Sequence, residues 1–154
     1  MKVAPISILL LLLCLLLTSC ASKPRRHPGI KNAPYSIAGI RYVPYSVAEA
    51  QNLEEVGVAS WYGPDGWFSG SGTTANGEQI NARSISAAHK LLPLPCLIEV
   101  TNLRNGRRAK VRVNDRGPFI DNRMLDVSSR ASEILGFKPD GLTDVRIRVL
   151  RVGD

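Results

Sequence analysis

From Val56 to the C-terminus, apolar and polar residues alternate in short runs. A period of two is the signature of strands with one buried face. "LIEVTNL", Leu97 to Leu103, sets Ile98 and Val100 against Glu99 and Thr101. Ala109, Val111 and Val113 then alternate with Lys110, Arg112 and Asn114. Between these runs, Asn105-Gly106 predicts a two-residue hairpin turn, because both positions accept positive φ. "VGVASWY" predicts a strand carrying Trp61 and Tyr62, and "LDVSS" another that ends at Ser128. Val145 to Val152 predicts the last, with Val145, Ile147 and Val149 facing away from Arg146 and Arg148. A helix is predicted over Arg130 to Leu135, capped by Ser128 or Ser129 and stopped by Gly136. A helical turn is predicted at "SAAHKLL", with Ser86 as its N-cap and His89 in its first turn. "PDGWFSGSGTTANGE" is too rich in Gly and Ser for a regular element and reads as a loop. Short strands, two brief helices and long loops together predict a mainly β fold, a small closed barrel.

The N-terminal part carries a different pattern. Lys2 precedes an apolar run, Ile6 to Leu17, broken only by Ser7. That run is too short to span a membrane and suits the core of a signal peptide. It ends in "LTSC", which resembles the lipobox of bacterial lipoproteins, whose Cys becomes the first residue and carries lipid. Residues 1–19 are therefore expected to be a signal peptide and Cys20 a lipid anchor. An ordinary secretory signal with an incidental Cys is the alternative. Ala21 after the Cys favours the outer membrane over the inner one. The expected location is the cell envelope, facing the periplasm.

Residues 20–55 read as a tether. "SKPRRHPGIKNAP" is basic and Pro-rich, the composition of a leash, whereas "PYSIAGIRYVPYS" suits an extended strap along the domain. The domain itself is expected over 56–154. Of the three cysteines, Cys14 leaves with the signal and Cys20 takes lipid. Cys96 is then single and excludes an internal disulfide; it suits a small buried hydrophobe better than a nucleophile. No Cys/His spacing fits zinc, so no metal and no cofactor are expected. The net charge of +7 suits an anionic wall polymer or membrane face. In a periplasmic setting nucleic acid is not an expected partner.

"VRVNDRGPF" breaks a strand pattern with a carboxylate between Asn and Arg, ahead of Gly117-Pro118. From the residues alone, Asp115 caps that turn as readily as it performs chemistry. With "GVASWYG", "TANGE", "AAHKLLPL" and "NRMLDVSSRASEILG", the segment resembles the RlpA-like family, the rare lipoprotein A proteins. The resemblance implies a six-stranded double-psi β-barrel. It also implies an endolytic lytic transglycosylase that cuts between N-acetylmuramic acid and N-acetylglucosamine and leaves 1,6-anhydro ends. Glycan strands lacking stem peptides are the implied substrate.

In that chemistry the sugar's own C6 hydroxyl is the nucleophile, so one carboxyl group can serve as acid and then base. The family match makes Asp115 that group and His89 a residue positioning it or the sugar. It makes Glu78 a second cleft carboxylate, one that raises the acid's pKa by like charge or bonds an N-acetyl group. Its alternative is a solvated loop Glu. Such an acid needs a raised pKa, so Arg116 is expected to point away from Asp115. Tyr62, Trp67, Phe68 and Asn114 are candidate sugar contacts, and Trp61 is better suited to the core. The chain ends straight after its last predicted strand, so no C-terminal peptidoglycan-binding repeat domain is expected. A monomer is expected. The second reading is a non-catalytic, expansin-like binder of wall glycan.

Overall fold

The computed structural model describes residues 29–63, 72–81 and 83–154. The segment expected to be a signal peptide and Cys20 lie outside them. Six strands close into a barrel: β3 (Glu54–Tyr62), β4 (Ser86–His89), β5 (Cys96–Asn102), β6 (Arg108–Asp115), β7 (Leu125–Ser128) and β8 (Thr143–Val152). Their order around the barrel is β3-β7-β4-β6-β5-β8. The β3–β7 and β4–β6 pairs are parallel and the remaining pairs antiparallel. Closure leaves no strand of the barrel with an unpaired edge.

The core follows the alternation in the sequence. Val145 and Ile147 of β8, Ile98 and Val100 of β5, and Val111 and Val113 of β6 are wholly buried. Leu92, Leu94, Leu125, Val127, Leu135 and Phe137 complete the interior. Each such side chain stabilises the fold by roughly 1.5–3 kcal/mol through burial, before the entropy of ordering is set against it. Cys96 lies among them at 1 % exposure, and burial pushes its thiol up to about 12. It is a hydrophobe here, not a nucleophile.

Helix α2 (Ser129–Leu135) starts and stops where the sequence sets it. The Oγ of Ser128 accepts from the N–H of Ala131 at 3.2 Å, and Gly136 ends the helix with φ 73°. The hairpin between β5 and β6 departs from expectation. Gly106 has positive φ, but Asn105 is not among the positive-φ residues, and the connection runs from Leu103 to Arg107. Asn105 has another task. Its Nδ2 donates to the carbonyls of Leu135 (3.0 Å) and Gly136 (3.3 Å), while Asn102 also donates to Leu135 at 3.0 Å. The loop is shaped to satisfy orphan carbonyls at the C-terminus of α2.

The helical turn predicted at "SAAHKLL" is instead strand β4. Ser86, Ala87, Ala88 and His89 are all buried, flanked by β6 on one side and β7 on the other. A strand covered on both faces shows no alternation, and two alanines then read as helix formers. Pairing with two neighbours overrides that propensity.

The segment before β3 packs more closely than a tether would. Strands β1 (Tyr35–Ile37) and β2 (Ile40–Tyr42) form a hairpin whose turn, Ala38-Gly39, has φ of 50° and 81°. Helix α1 (Val47–Ala50) has a complete capping box from Ser46 and Glu49 and buries Ala50 fully. Tyr45 and Leu53 rest against the core.

Candidate functional site

Side chains on one face of four neighbouring strands meet at a cleft of about 380 Å³. Ser60 and Tyr62 of β3 lie beside Asp126 and Ser128 of β7 in parallel register. On the other side of β7, Asp126 is paired with Ala88 of β4, and Ala88 is paired in turn with Asp115 of β6. Asp126, Ala88 and Asp115 thus form one row across three strands. Two strand spacings separate the carboxylate-bearing backbones by roughly 10 Å, and the small Ala88 leaves the space between them open. The register of β4 against β6 skips Asn114 in a β-bulge, which brings Asp115 opposite Ala88. Ile80, Pro118, Phe119 and Ile120 form the apolar walls.

The two carboxyl groups have different surroundings. Asp115 Oδ1 accepts from the backbone N–H of Ala75 at 2.7 Å and of Arg116 at 2.8 Å. Asp126 Oδ1 accepts from the Ser60 hydroxyl at 3.0 Å. Burial pushes Asp126 up to about 6 from the ordinary 3.8; Asp115 adds to the rise, while Ser60 and Arg123 oppose it. Beside them Tyr62 shares a hydrogen bond with Ser86 at 2.7 Å. Burial raises its phenol to about 12, so it stays protonated.

The Arg116 side chain turns away from the Asp115 carboxylate, as expected. Its Nη1 donates to the carbonyls of His89, Lys90 and Leu92, and its Nη2 to that of Lys31 at 2.9 Å. Its guanidinium also lies 5.1 Å from the ring centre of Tyr35.

Glu78 is not a cleft carboxylate. Arg112 holds it in a fork, Nη2 to Oε1 at 2.9 Å and Nε to both oxygens at 3.2 and 3.3 Å. Asn114 and Asn76 each donate to it at 2.8 Å. With Asn76 N–H bonded to the Asn114 carbonyl at 3.0 Å, this fixes the "TANGE" loop on β6, so that the Ala75 N–H faces Asp115. Glu78 braces the site rather than working in it. Asn114 is corrected with it: the side chain is 5 % exposed, its amide serves Glu78, and its Oδ1 is buried without a partner. At that burial the side chain is held inside the protein and is not placed to meet a sugar.

The Arg112 fork pulls the Glu78 carboxyl down from 4.5 to about 2. A carboxylate with a lowered folded-state pKa stabilises fully above its unfolded pKa and loses that contribution as pH falls through the folded one. The wild type is therefore expected to lose thermal stability more steeply than Glu78→Gln between pH 4.5 and about 2. Melting curves across that window check this; parallel curves would remove the brace.

His89 is also corrected. Its Nδ1 accepts from the N–H groups of Leu91 and Leu92, both at 3.1 Å, which places the ring proton on Nε2. Nε2 donates to Glu55 at 3.1 Å, and Tyr45 donates to the same carboxylate at 2.8 Å. The ring is 3 % exposed and makes no hydrogen bond to Asp115. Its strand neighbour Ala88 faces the cleft, and a period of two turns His89 the other way. Trp61 is half-buried against the core with its Nε1 bonded to the Lys138 carbonyl at 3.1 Å. Trp67 and Phe68 lie outside the described residues.

Sequence reasoning missed Asp126. The available signal was an acidic residue inside "LDVS", in a strand otherwise made of buried residues. Among the described residues no group of three or more His, Cys, Asp or Glu is placed to hold a metal ion.

The family described as "Lytic transglycolase" matches residues 54–147. "Endolytic peptidoglycan transglycosylase RlpA" of Rickettsia prowazekii (strain Madrid E) is 56% identical over 98 residues, covering 62% of this chain and 30% of the relative. The protein of that name from Pseudomonas aeruginosa (strain UCBPP-PA14) is 45% identical over 125 residues, covering 80% of this chain and 35% of the relative. The chain spans less than half the length of these relatives. Among solved structures, the Streptomyces papain inhibitor superposes with a TM-score of 0.51 at 23% identity, over 64% of this chain and 96% of the inhibitor. That likeness concerns the fold alone.

Proposed function

The chain belongs to the lytic transglycolase family, with its double-psi β-barrel, and from that premise we propose that it is an endolytic peptidoglycan lytic transglycosylase. One observation carries the reading: two carboxyl groups, Asp115 and Asp126, share one apolar-walled cleft in opposite settings. A carboxyl whose burial favours its proton can act as acid beside a second carboxyl that acts as base.

The step proceeds within the sugar. Asp126 gives its proton to the departing C4 oxygen of N-acetylglucosamine as the C1–O bond of N-acetylmuramic acid breaks. The muramyl C6 oxygen bonds to C1, and Asp115 takes its proton. No water is consumed, and exchange with solvent restores both groups. The single-acid scheme expected from sequence is thereby divided between two residues. The setting expected of Asp115, apolar walls and a neighbouring like charge, is that of Asp126.

The finer features rest on the resemblance: a preference for strands lacking stem peptides, and a periplasm-facing protein, lipid-anchored through Cys20 in the outer membrane. The basic surface suits an anionic wall. An inverting hydrolase also works with two separated carboxyl groups, about 6.5–9.5 Å apart. The product distinguishes the two chemistries. Stem-free sacculi incubated with the full chain are expected to release fragments ending in 1,6-anhydro-muramic acid. The Asp115→Asn variant should release them about 10²–10⁴-fold more slowly. Mass analysis of the ends reads both; reducing ends 18 Da heavier, the mass of the added water, would make the enzyme a hydrolase, and unchanged variant kinetics would remove Asp115 from the step.

A further inference from the structure

The β1–β2 hairpin stands outside the barrel and outside the residues matched by the family, yet it is fastened to the cleft. Tyr35 and Tyr42 stack across it, ring centres 5.2 Å apart and planes 17° apart. Phe119 meets Tyr42 at 5.5 Å and Tyr35 at 6.3 Å, both at steep angles. The hairpin is held in place: the Tyr35 hydroxyl donates to the Lys90 carbonyl at 2.8 Å, and Arg116 lies against the Tyr35 ring. Phe119 itself is a cleft wall, four residues after Asp115, and is 41 % exposed.

An aromatic ring fixed on two sides by other rings and open on a third has lost its freedom before any ligand arrives. A flat, pre-ordered apolar face beside a carboxyl pair suits one ligand chemistry. Pyranose rings carry C–H groups on one face that lie against aromatic rings, while their hydroxyls and N-acetyl groups stay in water. A purely structural cluster would bury the third ring as well.

Taking the cleft to be a glycan site, we propose that Phe119, backed by Tyr42 and Tyr35, is a sugar-binding subsite. It would receive a pyranose ring of the same N-acetylhexosamine strand whose linkage lies between Asp115 and Asp126. The hairpin is then a second wall of the substrate groove, contributed by a segment that precedes the barrel. The subsite adds affinity for long strands and none for a fragment that fills only the space between the carboxyls.

The test uses the full chain and peptide-free glycan made of alternating N-acetylglucosamine and N-acetylmuramic acid, as a disaccharide and as an octasaccharide. Binding is measured by calorimetry in an Asp115→Asn background, where turnover does not interfere. Phe119→Leu keeps the site apolar and removes the flat ring; Phe119→Trp keeps a flat ring. The expected result is octasaccharide affinity lowered about three- to tenfold by Leu and held within about twofold by Trp, with disaccharide binding equal in both. Tyr42→Leu is expected to weaken the octasaccharide by a smaller factor. Wild-type-like octasaccharide binding by a folded Phe119→Leu would overturn the subsite, and so would equal losses in Leu and Trp.

The release of anhydro ends by the otherwise unmodified protein is scored separately. Cutting without dependence on Phe119 overturns the subsite and keeps the lytic reading. Ring-dependent binding without cutting keeps the subsite and overturns the lytic reading. A chain that neither binds nor cuts overturns both.

Discussion

The Asp126→Asn protein is expected to cut glycan about 10²–10⁴-fold more slowly than the wild type and yet to be the more stable of the two above pH 6. Both effects have one origin. Burial holds the Asp126 carboxyl at about 6 in the folded protein, against an ordinary 3.8. A group with a raised folded-state pKa stabilises fully below its unfolded pKa, and that contribution is lost as pH rises through the folded one. Ionised Asp126 is therefore a burden at neutral pH. Asparagine has nearly the same shape and can still accept from the Ser60 hydroxyl, but it carries no charge to desolvate. The gain is about 1–2 kcal/mol at pH 8, discounting for the partial exposure of the group.

The wild-type rate should fall as pH rises through about 6, the limb on which Asp126 loses its proton. The residual activity of Asp126→Asn should lack that limb. Thermal unfolding at pH 4 and pH 8, with initial rates from pH 4 to 9, measures all of this. A variant that cuts at the wild-type rate would return the acid's role to Asp115. A variant no more stable at pH 8 than at pH 4, relative to wild type, would mean that the desolvated charge is absent.

Arg116→Met is expected to lower the unfolding temperature by about 5–15 °C. The side chain fills similar space along its stem but brings no donors. The carbonyls of His89 and Leu92, around the turn after β4, lose the guanidinium, while that of Lys90 keeps the Tyr35 hydroxyl and that of Lys31 keeps the Leu94 N–H. A buried acceptor left unpaired costs about 1–3 kcal/mol, and of the four residues His89 and Leu92 are buried. Arg116→Lys is expected to recover less than half of the loss, since one ammonium cannot reach four oxygens arranged around a fork. The link between the N-terminal segment and the barrel should open at the same time, seen as faster amide exchange in Tyr35–Tyr42. Melting within about 2 °C of wild type would make the guanidinium an ornament of the surface.

The strands that bury one face were legible from their alternation: β5 follows it throughout, β8 as far as Leu150, and β6 as far as Val113, where the buried Asn114 breaks it. Strand β4 was not, because it is covered on both faces and its sequence offers no contrast between them. The Asn105-Gly106 turn was misjudged for a related reason: the partner shaping it is the end of α2, a contact no local pattern carries. The candidate site divides the same way. Asp115 stood out because polar residues interrupt a strand. Asp126 did not, since a carboxylate in a short strand ordinarily points to water. Its role emerges only when β7 is set between β3 and β4. Glu78 and His89 were visible as a set with Asp115, but their tasks depend on Arg112 and Glu55, each far away along the chain.

The row Asp126–Ala88–Asp115 has a temporal side. Its three members sit on strands separated in the chain and become neighbours only through one parallel and one antiparallel pairing. Contacts between distant segments form late, after the loop-closure cost has been met. An unfinished chain therefore possesses neither the carboxyl pair nor the cleft around it. The cleft and its pair of carboxyls arise in the same event that seals the barrel.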